Sequence, residues 1–178
     1  MKKTLLAFTL ASMFMASAVQ AVDHSATVDI SGTITGNADS GCNVYISTPT
    51  VNLSSKIDSL PNQGDKATAP VPLDYSVTGT NMNTSVCLDT VALLFHGEID
   101  GTDGYALAND NTGAGAAQGV GVGVFDKDLN PIIINGNKIT LDSNQPLAVA
   151  YLQMVKLNGE TPVEGTVHAS MTIDIMRL

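Results

Sequence analysis

Apolar and polar residues alternate along most of this chain, with a period of two. The clearest case is 165–178. There Val167, Ala169, Met171, Ile173 and Ile175 alternate with His168, Ser170, Thr172, Asp174 and Met176. This pattern predicts a strand with one buried face. No turn or returning strand follows it in the sequence. The strand is therefore expected to take a neighbour from elsewhere in the molecule or from another molecule.

The same alternation recurs upstream. Val22, His24, Ala26, Val28 and Ile30 share one parity, and Asp23, Ser25, Thr27 and Asp29 the other. This extended segment runs towards Ile34, with Gly32 expected to interrupt it as a bulge or a switch between sheets. Cys42, Val44 and Ile46 mark a strand, 50–53 a short extended piece, and Val71, Leu73, Tyr75 and Val77 another strand. Pro70 and Pro72 place the start of that strand at a sheet edge. Residues 54–61 have room for a single helical turn. A strand is expected over 86–97, carrying Cys87 and then Val91, Leu93 and Phe95, with Leu88 and Leu94 on its second face. Residues 100–115 read as a long Gly/Asp/Asn loop. From 119 to 124 glycine alternates with valine, which predicts close approach of another backbone on the side without side chains. Ile132–Ile134 and Ile139–Leu141 flank Asn135-Gly136, a hairpin signal. Leu147, Val149 and Tyr151 open a strand reaching Leu157, and Asn158-Gly159 turns the chain into 165–178. No segment shows a sustained period of 3.6. Short strands at this spacing predict an all-β sandwich or barrel.

The N-terminus changes the length of chain available for that fold. Met1-Lys2-Lys3 is a basic start, an apolar run follows to about Ala16, and Val19-Gln20-Ala21 has the form of a cleavage site. Residues 1–21 are expected to be a secretory signal peptide, with Ala16-Ser17-Ala18 as the alternative site. The apolar run is too short to span a bilayer. Removing 21 of 178 residues leaves 157, enough for one domain. Removing Lys2 and Lys3 leaves six basic residues against seventeen acidic ones, so nucleic acid is excluded as an expected partner. Cys42 and Cys87 lack C-x-x-C spacing, and in an exported chain the pair is expected to form one structural disulfide.

Candidate chemistry is sparse. Asp126, Asp128 and Asn130 imitate the start of a calcium loop, but Pro131 and Asn137 stand where Gly and Glu are needed. The glycines of 113–123 give no dinucleotide fingerprint. His24, His96 and His168 are widely separated, and no nucleophile elbow or zinc motif occurs. No enzyme activity, metal or other cofactor is expected.

Several stretches resemble one family, in order and across nearly all of the mature sequence. They are Val28-Asp-Ile-Ser-Gly32-Thr-Ile34, the positions of Cys42 and Cys87, and His96-Gly97 with Asp100. Further along come the run from Gly119 to Asp126 with Asn130-Pro131-Ile132, then Pro146-Leu-Ala-Val-Ala-Tyr151, and Gly165 at the head of the last alternating strand. Together they resemble fimbrial subunits of the chaperone–usher pathway, the type 1 pilin family. Arg177 stands where that family usually has an aromatic residue.

The resemblance implies an incomplete immunoglobulin-like sandwich that lacks its last strand, with an N-terminal donor-strand extension. Residues 22–31 would be the extension, running into the first strand, and 32–178 the pilin domain. Val22, His24, Ala26 and Val28 would face a partner's groove. Gly165, Val167, Ala169, Met171, Ile173 and Ile175 would form the acceptor and chaperone-binding strand. The implied function is a structural subunit of a surface fimbria that supports cell adhesion and polymerises by donor-strand exchange. The implied partners are a periplasmic chaperone, an outer-membrane usher and other pilin subunits, and the implied route leads through the periplasm to the cell surface. The alternative is a single-domain adhesive subunit that binds a host glycan or protein receptor itself, with the 100–115 loop as its exposed surface.

Overall fold

A computed structural model describes residues 24–33, 41–79, 84–141 and 147–178. Nine strands, one short α-helix and one 3-10 turn (Ile57–Ser59, within the expected 54–61) are found among them: β1 (His24–Thr33), β2 (Cys42–Ile46), β3 (Thr50–Ser55), β4 (Val71–Gly79), α1 (Thr84–Thr90), β5 (Val91–Gly97), β6 (Val120–Phe125), β7 (Lys138–Thr140), β8 (Leu147–Lys156) and β9 (Val167–Arg177). They form a five-stranded sheet, β3-β1-β9-β5-β7, and a four-stranded sheet, β2-β4-β8-β6. Every named strand pair is antiparallel except β1 with β9.

The period-two pattern decides which side chains lie between the sheets. From the four-stranded sheet, Leu73, Tyr75 and Val77 of β4 and Ala150, Leu152 and Met154 of β8 are buried in one cluster. From the other sheet, Leu93 and Phe95 of β5 join them, with Val167, Ala169, Met171, Ile173 and Ile175 of β9. Tyr75 and Phe95 meet edge to face across the layer, with ring centroids 6.0 Å apart. Burial pushes the Tyr75 phenol up to about 12.

The glycine–valine alternation of β6 works as expected. Val120, Val122 and Val124 enter the core, and Leu107 adds to the strand by exchanging two backbone bonds with Val122, at 2.8 and 3.0 Å. A Cβ on Gly121 would lie 2.6 Å from the Leu107 carbonyl oxygen, so this approach requires glycine. Behind β6 and β8 a smaller cluster buries Ala67, Ala106, Phe125, Val155 and Leu157 beneath the long loops. Two buried glutamines fasten those loops. Gln153 accepts from the Thr68 and Ala69 backbone N–H groups through Oε1, at 2.9 and 3.0 Å. Gln63 donates to Asp103 at 2.7 Å and accepts from the Asn158 N–H at 3.1 Å. The 100–115 segment is thus anchored at Asp103 and Leu107.

Three local expectations are corrected. Residues 84–90 form α1, so Cys87 sits on a helix and the strand begins only at Val91. Cys87 and Val91 are four residues apart, which places them on one side at either period, and the pattern does not distinguish the two. The Asn135-Gly136 pair does not join two paired strands. Asn135, with φ of 62°, turns the chain as it crosses between sheets, and β7 pairs with β5. The Asn135 side chain bonds both the N–H and the C=O of Gly97, at 3.1 and 2.8 Å, which fixes that crossing. β1 passes through Gly32 without a break, with Gly32 opposite Ile173. The start of β4 is an open edge, as expected, although the strand as a whole is an inner one, with β8 along Val71–Ser76 and β2 along Tyr75–Gly79. Pro72 is accommodated because β2 pairs only with Tyr75–Gly79, leaving one side of the strand start open.

Candidate functional site

The feature that organises the five-stranded sheet is β9. On one side β5 pairs with it antiparallel, from Val91 opposite Arg177 to Gly97 opposite Met171. On its other side β1 pairs with it in parallel, from Ala26 opposite Val167 to Thr33 opposite Asp174. β1 is itself held from behind by β3, with Ala26 opposite Leu53 and Val28 opposite Val51. The segment expected to donate a strand and the strand expected to accept one are therefore neighbours within a single chain.

The inward parity is the one read from the sequence. Ala26 and Val28 are buried, as are Val167, Ala169, Met171, Ile173 and Ile175. His24 lies in β1 opposite Ser55. Val22 lies outside the described residues. Gly165 precedes β9 and packs against backbone. A Cβ there would lie 2.4 Å from both the Ala117 nitrogen and the Gly115 oxygen. Backbone bonds lock this contact: Thr166 N–H donates to Gly115 at 2.8 Å and Ala117 N–H donates to Thr166 at 3.0 Å.

Cys42 and Cys87 form a disulfide with Cα atoms 5.7 Å apart, joining the start of β2 to α1. The Asp126–Asn130 turn is self-contained. Although burial opposes it, the Asn130 side chain and the Asn130 and Asp128 backbone N–H groups hold the Asp126 carboxyl below its usual range. Its calcium-like spacing is thus occupied by internal bonds. A cleft of about 390 Å³ opens beside this turn, lined by Tyr75, Ile132, Ile139, Leu141 and Leu147 among others.

The polar face of the β1–β9 pair carries an arrangement that the sequence did not announce. His168 Nδ1 lies 2.5 Å from Asp110 Oδ1, and its Nε2 lies 3.1 Å from Asp29 Oδ2. Asp29 comes from β1 and Asp110 from the loop between β5 and β6. The Asp110 contact first, and then that with Asp29, raises the His168 pKa above its ordinary value. Nothing in the spacing marks the pairing, because the partners stand 58 and 139 residues away. The only available signal is that His168, Thr27 and Asp29 share the outward parity.

A family model described as fimbrial protein matches residues 28–176. The chain belongs to the fimbrial protein family. The resemblance to chaperone–usher fimbrial subunits is thereby borne out. Among solved structures, the fimbrial subunit is similar to the crystal structure of the P pilus rod subunit PapA. The two share 16% identity, over 82% of this chain and 99% of that chain, with a TM-score of 0.50. At that identity the likeness is one of fold: an all-β pilin fold of the immunoglobulin-like kind. No curated protein matches the sequence.

Proposed function

We propose that this protein is a structural subunit of a surface fimbria that polymerises by donor-strand exchange. The observation that carries the proposal is the parallel pairing of β1 with β9, with Ala26 and Val28 buried beside Val167 and Ala169. A slot that accepts β1 from its own chain also fits β1 from another chain, because register, parity and side-chain volume are identical. Exchanging the same element between copies is domain swapping, and done head to tail it does not close and yields a filament. Residues 22–31 are the exchanged segment on this reading, and the domain that receives it spans 32–178.

Before exchange, the exposed edge and apolar face of β9 need cover, since an unpaired edge invites aggregation. A periplasmic chaperone strand supplies that cover on this reading, and the outer-membrane usher is where a neighbouring subunit's segment replaces it. The route therefore runs through the periplasm to the cell surface.

A labelled peptide of residues 22–33 tests the proposal. Incubated with the full chain, it should be taken up into a complex that survives gel filtration. A peptide with Val28→Asp should not be taken up. Equal uptake of both peptides would overturn the reading.

A further inference from the structure

We propose that His168 is a proton-operated clasp on β1: doubly protonated, it ties β1 to β9 and to the loop between β5 and β6, and loss of one proton loosens β1. The functional meaning of this clasp rests on the donor-strand reading above, since it would set how readily β1 leaves β9.

The argument begins with proton inventory. Both ring nitrogens of His168 face carboxylate oxygens, Nδ1 that of Asp110 and Nε2 that of Asp29. A neutral imidazole has one N–H and one lone pair. It can donate to one of the two acids, and its other nitrogen then turns a lone pair towards a carboxylate. Only the imidazolium donates to both. The arrangement is thus complete in one protonation state and frustrated in the other.

The three groups sit on three separate pieces of chain. Asp29 lies on β1, where its Oδ1 also accepts from Thr50 Oγ1 of β3 at 3.2 Å. Asp110 is held in place because its backbone N–H donates to the His168 carbonyl at 2.9 Å. The loop is further secured by Asn109, whose Oδ1 accepts the His168 N–H at 2.9 Å. The charged groups that face the ring are Asp29 from β1 and Asp110 from the loop; the outward side chains of β3 that bond β1 there, Thr50 and Asn52, are uncharged. β5 pairs with β9 from Met171 onwards, with His96 opposite Thr172, and the exposed Glu98 just beyond β5 makes no bond to the ring among the described residues. Protonation of His168 is therefore read by two strands and a loop at once.

The sign follows from the raised value of the folded ring. The contribution is complete below the unfolded value of 6.5 and is lost as pH rises through the higher folded value. β1 is thus held more firmly in acid and released more readily towards alkaline pH.

Amide hydrogen exchange on the full chain tests the clasp. The quantity to read is the exchange rate of the 27–30 amides divided by that of the 73–77 amides of β4, a ratio that removes the intrinsic pH dependence. Between about pH 5 and about pH 8 the wild-type ratio should rise about threefold, the scale of losing one half-exposed ion pair. In His168→Gln the ratio should be flat, and in Asp110→Asn the rise should move to lower pH. A flat wild-type ratio, or an undiminished rise in His168→Gln, would sink the proposal. Peptide uptake with a flat ratio overturns the clasp alone. A rising ratio without peptide uptake overturns the donor-strand reading alone.

Discussion

Val28 and Ala169 face each other across the parallel β1–β9 pair, and neither is reached by solvent. Behind Val28 stands Val51 of β3, so this side chain is enclosed by both neighbouring strands. Full burial of a valine-sized side chain contributes roughly 1.5–3 kcal/mol. Ala26, buried in the same register opposite Val167, adds to this packing.

Deleting residues 22–26 removes the first rungs of that insert, including His24 opposite Ser55 and Ala26 opposite Val167. The truncated subunit should still be recovered with its chaperone but should fail to join a polymer. Native gels of periplasmic extracts, alongside shearing of surface fibres, measure both. Polymers of normal length from the truncated subunit would contradict the donor assignment.

Ile173 of β9 is fully buried opposite Phe95 and Gly32. Ile173→Asp places an unpaired carboxylate there, at a cost of roughly 3–5 kcal/mol. Stable chaperone complexes should disappear from the periplasm. Ile173→Val should cost only about 1 kcal/mol and leave the complex recoverable, which separates charge from volume.

Gly165→Ala should destabilise by roughly 1–3 kcal/mol, because its methyl group meets the backbone of Gly115 and Ala117 rather than a side chain that can move away. The midpoint of urea unfolding reads this directly. An unchanged midpoint would show that the 115–117 backbone yields.

Tyr75→Phe should raise stability. The Tyr75 side chain is buried and its hydroxyl has no hydrogen-bond partner among the described residues, and removing that hydroxyl relieves a desolvation cost of about 1 kcal/mol. Because the folded phenol titrates near 12 against 10.0 unfolded, the wild type should also lose stability as pH climbs from the lower value to the higher. Comparing thermal unfolding of the two proteins at neutral and strongly alkaline pH checks both effects, and the gap between them should widen with pH.

How far the sequence reached can be followed through particular residues. The alternation from Val167 to Ile175 gave the buried face of β9 residue by residue, because burial on one side of a strand is a local, repeating constraint. Glycine at 121 gave the close approach of the Leu107 backbone to β6, whereas at 123 the space is filled by the Phe125 and Val155 side chains. Helix α1 was missed because a span of four residues suits either period. The Asn135 turn was missed because its decisive bonds go to Gly97, 38 residues away. His168 with Asp29 and Asp110 was illegible for a deeper reason. Outward polar residues carry no periodic mark of their partners, and only the fold brings these three together.

The position of β9 has a consequence in time as well as in space. It follows every other described strand in sequence, yet it lies between β1 and β5 in the sheet. A nascent chain made from its N-terminus can assemble β2 with β4 and then add β8 and β6, while β1 and β5 still have no common neighbour. The five-stranded sheet therefore closes in a single late event, after most of the chain has already emerged. Until then one half of the sandwich waits with its apolar face uncovered, so the speed of that last step sets how long the chain is open to misassembly.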